Sequence, residues 1–213
     1  MGIKLLNELL FLPLDIPCPP KEVIKELNKI SYNDMVYQDY INCFYIPVVS
    51  YDKKTKKSSW NNNLLTIYEY LKKYVFPWTG VSKTVILTPK QGENMSPHID
   101  CSLDKFHTIQ HKFRFVIQGN TNDLKFLTNN DSVCPPNINT PFIMDGSWPH
   151  KMTSTSEEKR YVLALGYPWE PKSSDIKYIS LLEKSYKKYK QYYMSNKNLH
   201  LPKDYKKLFE NGF

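Results

Sequence analysis

The sequence predicts a mainly β domain with helical flanks, either a β-sandwich or a jelly-roll barrel. From Lys83 onward apolar and polar residues alternate with the period of a strand, in short runs at 83–88, 107–118, 124–128, 141–145 and 159–167. Loops rich in Pro, Asn and Gly separate these runs, as in sheets built from many short strands. On both sides of this region the apolar spacing becomes helical.

Taken in order, the segment 20–31 places Val23, Ile24, Leu27 and Ile30 on one helical stripe, with Pro20 suited to a first turn. A strand is expected over 41–51, followed by a polar loop, DKKTKKSSWNNN, whose lysines read as a solvated tip. The next helix spans 62–76, where Leu64, Ile67, Tyr68, Leu71 and Val75 share a face. After YPWEP at 167–171 a last helix carries Ile179, Leu182, Tyr186, Tyr189 and Tyr193. Lys184, Lys187, Lys188 and Lys190 flank that stripe and read as its solvated outer face. The chain is expected to form one domain over 1–213: helices and strands to 82, a β core over 83–171 and a basic helical segment over 172–213.

Composition narrows the function classes. A chain of 213 residues, 41% of them hydrophobic, buries a full core, so extended disorder is excluded. The opening MGIKLLNELLFLPLDIP is interrupted by Glu8 and Pro13 and lacks a small-residue cleavage pattern, so a secretory signal is not expected. No run of about 18 apolar residues occurs, and a soluble protein without a membrane partner is expected. Cys18, Cys43, Cys101 and Cys134 stand apart without a CxxC pair, which suits reduced thiols and a cytoplasmic location. The net charge of +8 comes almost wholly from lysine, because Arg114 and Arg160 are the two arginines of the chain.

The chemistry is concentrated in a few residues. In an extended segment, positions i and i+2 project to one side, so His98 and Asp100 of SPHIDCS can bind a single ion. His150, in FIMDGSWPHKM, lies just past a predicted strand, far enough along for the chain to cross a barrel and return. Two imidazoles and one carboxylate on one face of an octahedral ion form a facial triad that leaves neighbouring positions open, a donor set that suits Fe(II). A closed zinc site would want four ligands.

Arg160 follows ten residues after His150 and shares a strand face with Val162, Ala164 and Gly166, whose small side chains leave room beside it. A guanidinium presents paired donors to a carboxylate and holds it strongly inside a low-dielectric cavity. On the run 107–118, Lys112 and Arg114 alternate with His107, His111, Phe113 and Phe115. His107 and His111 are the rival metal ligands, but on such an apolar face a hydrogen-bonded core histidine is the usual reason for an imidazole. Asp145 and Trp148 flank His150, as an acceptor for a ligand histidine and a wall of the site, or as a turn residue and a packed indole.

Together, HID at 98–100, His150 and Arg160 on predicted strands resemble the Fe(II)- and 2-oxoglutarate-dependent oxygenase superfamily. Within it, MDGSWPHKM followed by KRYVLALGYPWEP is similar to the aspartyl/asparaginyl β-hydroxylase and proline-hydroxylase-like branch. There an aspartate precedes the distal histidine and a Trp-x-Pro follows the arginine strand. The resemblance covers roughly residues 83–171 and implies a double-stranded β-helix core of the jelly-roll, cupin-like kind. It further implies Fe(II) on His98, Asp100 and His150, 2-oxoglutarate as cosubstrate on Arg160, and dioxygen as oxidant. The implied reaction hydroxylates an amino-acid side chain, free or in a polypeptide, with release of succinate and CO2. It also implies that Arg114 or Lys112 contacts substrate or cosubstrate; a solvated strand face is the other reading of the two. Asp100 departs from the aspartyl β-hydroxylases, which often lack an acid there, and this loosens any transfer of their substrate.

Two alternatives stand beside this expectation. The lysines of 53–57 and of the last helix suit an oxygenase that acts on nucleic acid. A non-catalytic β-sandwich that binds an acidic partner would leave the triad accidental.

Overall fold

A computed structural model of the chain describes residues 2–90, 92–106, 108–153, 158–172 and 174–210. In chain order the elements begin with α1 (Gly2–Glu8), β1 (Leu9–Pro13), α2 (Glu22–Leu27), β2 (Val36–Gln38), β3 (Cys43–Tyr51) and β4 (Ser58–Trp60). Next come α3 (Leu65–Tyr74), α4 (Phe76–Thr79), β5 (Thr84–Pro89), β6 (His111–Gln118), β7 (Leu124–Leu127) and β8 (Ser132–Val133). The chain continues through β9 (Phe142–Asp145), β10 (His150–Met152), β11 (Tyr161–Leu165), α5 (Ile176–Tyr189), β12 (Met194–Ser195) and α6 (Tyr205–Glu210).

The strands form two facing sheets. The larger has the order β12-β1-β9-β6-β11-β5-β3-β2, with β4 paired on β3, and the smaller has the order β10-β7-β8. A bridge between His98 and His150, with reciprocal backbone hydrogen bonds of 2.8 and 2.9 Å, adds the segment around His98 to the free edge of the smaller sheet. From β5 the chain therefore winds from the larger sheet to the smaller at His98. It returns at β6, crosses again for β7 and β8, returns at β9, crosses at β10 and returns at β11. This alternation is the winding of a double-stranded β-helix.

Two apolar clusters fix the sheets. Between them lie Leu10, Phe11, Val116, Leu124, Phe126, Phe142, Met144, Met152 and Val162. On the outer face of the larger sheet, Phe113, Phe115, Ile143, Leu163 and Leu165 pack against Leu71, Trp169, Tyr178 and Leu182 from the helical layer. The alternation read from β6 and β11 thus sorts their side chains, with one set facing the inter-sheet space and the other the helices. Each fully buried Leu or Phe contributes about 1.5–3 kcal/mol, so a one-residue register slip would be costly.

The predicted elements are present with shorter bounds. The expected strand 107–118 is β6 from His111, and the expected helix 20–31 narrows to α2, which is capped by Lys21, so Pro20 precedes its first turn rather than lying in it. In α5 the buried face is Tyr178, Leu182 and Ser185, one step round from the expected stripe, and Tyr193 lies beyond the helix. β1 was not foreseen: its fully buried LLFLP does not alternate, and it pairs with β9 in the interior of the larger sheet. No described helix is long and apolar enough to cross a membrane.

Candidate active site

The triad is assembled where the two sheets open. His98, Asp100 and His150 each offer a ligand atom, and these atoms lie within 4.8 Å of one another. His98 Nε2 stands 3.7 Å from Asp100 Oδ1, and His150 Nε2 stands 3.7 Å from Asp100 Oδ2. Each imidazole is oriented through its other nitrogen: His98 Nδ1 lies 2.8 Å from the Ser96 carbonyl, and His150 Nδ1 lies 2.8 Å from the Trp148 carbonyl. A carbonyl accepts only N–H, so both Nδ1 atoms carry a proton and both Nε2 atoms face Asp100. This is a donor arrangement that a divalent ion would complete.

Local backbone explains the convergence. The Asp100 amide donates to the Gly146 carbonyl at 2.6 Å, and the Gly146 amide donates to the Gln110 carbonyl at 2.6 Å. A Cβ on residue 146 would stand 2.7 Å from Asp100 Cβ and 2.6 Å from Lys112 Cγ, so only glycine admits this approach.

Charge suits metal binding. Burial works to raise the Asp100 pKa, but the Arg114 guanidinium, followed by His150 and His98, overrides it and holds the carboxyl well below the usual range. Burial, aided by His98, lowers His150 to about 4, so its imidazole is neutral at pH 7. Cys101 adjoins the triad and lines the same cavity, but burial pushes its thiol to about 11, which leaves it protonated and a poor ligand.

A cavity of about 870 Å³ runs from the triad between the sheets, lined by Val85, Leu87, Met95, Val116, Phe142, Met144, Val162 and Ala164. Lys112, Arg114 and Arg160 also line it, so the polar face predicted for β6 looks into the cavity. Arg160 is 4% exposed and pairs through Nη1 with Asp123, while Nη2 donates to the Asn120 carbonyl at 2.7 Å. Its buried Nε has no partner among the described residues. Gly119, at φ +115°, lets this turn approach closely: a Cβ there would stand 3.0 Å from Arg160 Nη1 and 3.1 Å from Cγ.

Sequence reading missed this cradle of Gly119, Asn120 and Asp123. The Gly-Asn pair after β6 signalled a turn, but nothing local tied that turn to an arginine forty residues away.

The secondary candidates fall elsewhere. His111 is turned away from the cavity, with Nδ1 2.6 Å from Tyr178 Oη, and burial lowers it to about 4. It is a core histidine, while His107 lies outside the described residues. Asp145 is no acceptor for a ligand histidine: its Oδ1 accepts from the Gln110 amide at 2.9 Å and from the Ser147 amide and hydroxyl at 3.0 and 2.7 Å. It shapes the turn into β10. Trp148 packs in the inter-sheet cluster and donates to the Leu127 carbonyl at 2.8 Å.

No known family matches the sequence, and no curated protein matches it. Among solved structures, the chain is similar to a prolyl hydroxylase from Trichoplax adhaerens in complex with a hypoxia inducible factor oxygen degradation domain peptide. The TM-score is 0.50 at 15% identity, over 85% of this chain and 90% of that chain. A Pseudomonas putida prolyl-4-hydroxylase gives 0.46 at 9% identity over 76% and 94% of the two chains. A viral collagen prolyl hydroxylase from Paramecium Bursaria Chlorella virus-1 gives 0.37 at 10% identity over 68% and 87%. The chain has the double-stranded β-helix fold of the Trichoplax prolyl hydroxylase.

Proposed function

We propose that the protein is a non-haem Fe(II)- and 2-oxoglutarate-dependent dioxygenase that hydroxylates an amino-acid side chain, free or within a polypeptide. The observation that carries this reading is the triad, with two Nε2 atoms and one ionised carboxylate converging on the wall of a largely apolar cavity. That donor set is the one non-haem Fe(II) oxygenases use. His98, Asp100 and His150 would hold the iron and Arg160 the distal carboxylate of 2-oxoglutarate, with Arg114 beside Asp100 as a further contact to the cosubstrate.

Iron and 2-oxoglutarate, when bound, supply an oxidant made from dioxygen, with succinate and CO2 as by-products. The chain's own residues set the geometry. The Ser96 and Trp148 carbonyls fix which nitrogen of each imidazole is free. Arg114 engages Asp100 Oδ2 and keeps the carboxylate ionised. The cradle of Asp123 and Asn120 holds the Arg160 side chain against the wall, leaving Nε as a donor still to be satisfied. Val116, Phe142 and Val162 surround the space between Arg160 and the triad with apolar surface, which limits water beside the reacting carbon.

The test is succinate formation from 2-oxoglutarate, which in such enzymes proceeds slowly without substrate. Succinate that requires Fe(II) and is lost in His150→Ala supports the reading, and none from folded, iron-loaded protein contradicts it. The last helix does not favour a nucleic-acid substrate. α5 packs through Tyr178 on the face of the larger sheet remote from the cavity, and its Lys184 and Lys188 pair with Asp15 at 2.9 and 2.5 Å.

A further inference from the structure

The lysine loop that reads in sequence as a solvated tip stands at the cavity mouth. The turn between β3 and β4 carries Lys53, Lys54, Lys56 and Lys57, and Lys53 lines the same cavity as the triad. The turn is built rather than loose. Asp52, its single acid, accepts from the Lys54 and Thr55 amides at 2.8 and 3.3 Å, and the Asp52 amide donates to the Lys57 carbonyl at 2.9 Å. Lys53 Nζ lies 4.9 Å over the Tyr167 ring, whose centroid is 5.6 Å from that of Tyr51, so the turn is fastened to the rim.

None of these four lysines makes an ion pair among the described residues, in contrast to Lys184 and Lys188 on α5. Lys83 adds a further exposed cation to the cavity wall, and Tyr40 and Leu103 expose apolar surface beside it. Against Lys53, Lys83, Lys112, Arg114 and Arg160, the cavity lining holds one acid, Asp100, and Asp123 behind the wall pairs with Arg160, so three positive charges are left over. A divalent metal and a dicarboxylate cosubstrate cancel each other's charge, so the excess persists once both are bound.

We infer that the lysine turn is a docking surface for an acidic segment of a polypeptide substrate, which it steers past Tyr40 and Leu103 into the cavity. This rests on the dioxygenase reading for what happens inside, but the docking itself does not need the metal. Concentrated charge of one sign at a cleft raises local ligand concentration and association rate. An acidic peptide fits better than single-stranded nucleic acid. Sequence-tolerant binding of the latter relies on several open aromatic faces in a row, whereas here Lys53 already covers one face of Tyr167, which leaves Tyr40 as the open ring of the cavity lining.

The test is fluorescence anisotropy of the full chain with a labelled ten-residue oligo-glutamate peptide, and with a labelled ten-nucleotide oligo-dT strand of similar charge. The charge-transfer band of Fe(II) with 2-oxoglutarate is recorded on the same wild-type sample. The expected result is saturable peptide binding that weakens with added NaCl and is tighter than oligo-dT binding. Binding falls about tenfold or more in Lys54→Glu/Lys56→Glu/Lys57→Glu and is retained in Lys187→Glu/Lys190→Glu on the remote face. Equal loss in both variants, tighter oligo-dT binding, or no peptide binding overturns the inference. A band without peptide binding refutes the docking surface alone, and peptide binding without a band refutes the dioxygenase reading alone.

Discussion

The Asp100 amide donates to the Gly146 carbonyl at 2.6 Å, and the two residues pack so closely that a methyl group on Gly146 would overlap Asp100 Cβ. The turn between β9 and β10 thus sets the position of the Asp100 carboxylate, although it carries none of the three triad residues itself. Gly146→Ala is expected to displace Asp100 and cost about 1–3 kcal/mol in stability through overpacking. The larger effect is expected in Fe(II) affinity, read by metal titration. Unchanged affinity in a folded variant would show that the close approach is not needed.

Arg160 gives the second prediction. Arg160→Ala removes a charge-assisted partner of a carboxylate, about 1.5–3 kcal/mol, and is expected to weaken 2-oxoglutarate binding about tenfold or more while leaving Fe(II) retention intact. The check is titration of iron-loaded protein with 2-oxoglutarate. An equal loss of iron would point to a folding defect instead.

Asp123→Asn leaves that buried guanidinium without its counter-charge, and breaking a buried pair in this way costs about 3–5 kcal/mol. A lowered urea midpoint is expected, together with weaker 2-oxoglutarate binding, because the Asn120 carbonyl alone then holds the charged side chain in place. If 2-oxoglutarate competes with Asp123 instead of using an arginine it positions, this variant will bind the cosubstrate more tightly.

How far the sequence reached follows from the range of the interactions involved. Alternation along β6 put Lys112 with Arg114 on one face, and the run of β11 put Arg160 with Val162 and Ala164, because side-chain direction in a strand is a local property; all five line the cavity. His98 and Asp100 were legible for the same reason, and His150 and Arg160 through spacing and resemblance. The cradle at Gly119, Asn120 and Asp123 was not, since it exists only once β11 lies beside β6. β1 was missed because a strand buried on both faces shows no alternation. The lysines at 53–57 were seen, but their place at the cavity mouth depends on the pairing of β3 with β5.

Stability of the metal-free protein should depend on pH through His111. Its imidazole is held at about 4 in the fold and titrates near 6.5 when unfolded, so between these values the unfolded chain binds the proton preferentially. Its contribution is full above about pH 6.5 and is lost as pH falls towards 4, with a slope of up to about 1.4 kcal/mol per pH unit. Urea midpoints across this window should fall less steeply in His111→Gln than in the wild type. Parallel slopes would mean that His111 is already protonated in the fold.

The central claim is that His98, Asp100 and His150 form one iron site that also takes 2-oxoglutarate. Its most direct test is anaerobic addition of Fe(II) and then 2-oxoglutarate to the metal-free protein, watching for the visible metal-to-ligand charge-transfer band. A band that appears only with both additions, is absent in His98→Ala and needs much more 2-oxoglutarate in Arg160→Ala is the predicted result. No band from folded wild-type protein, or an undiminished band in His98→Ala, would contradict it.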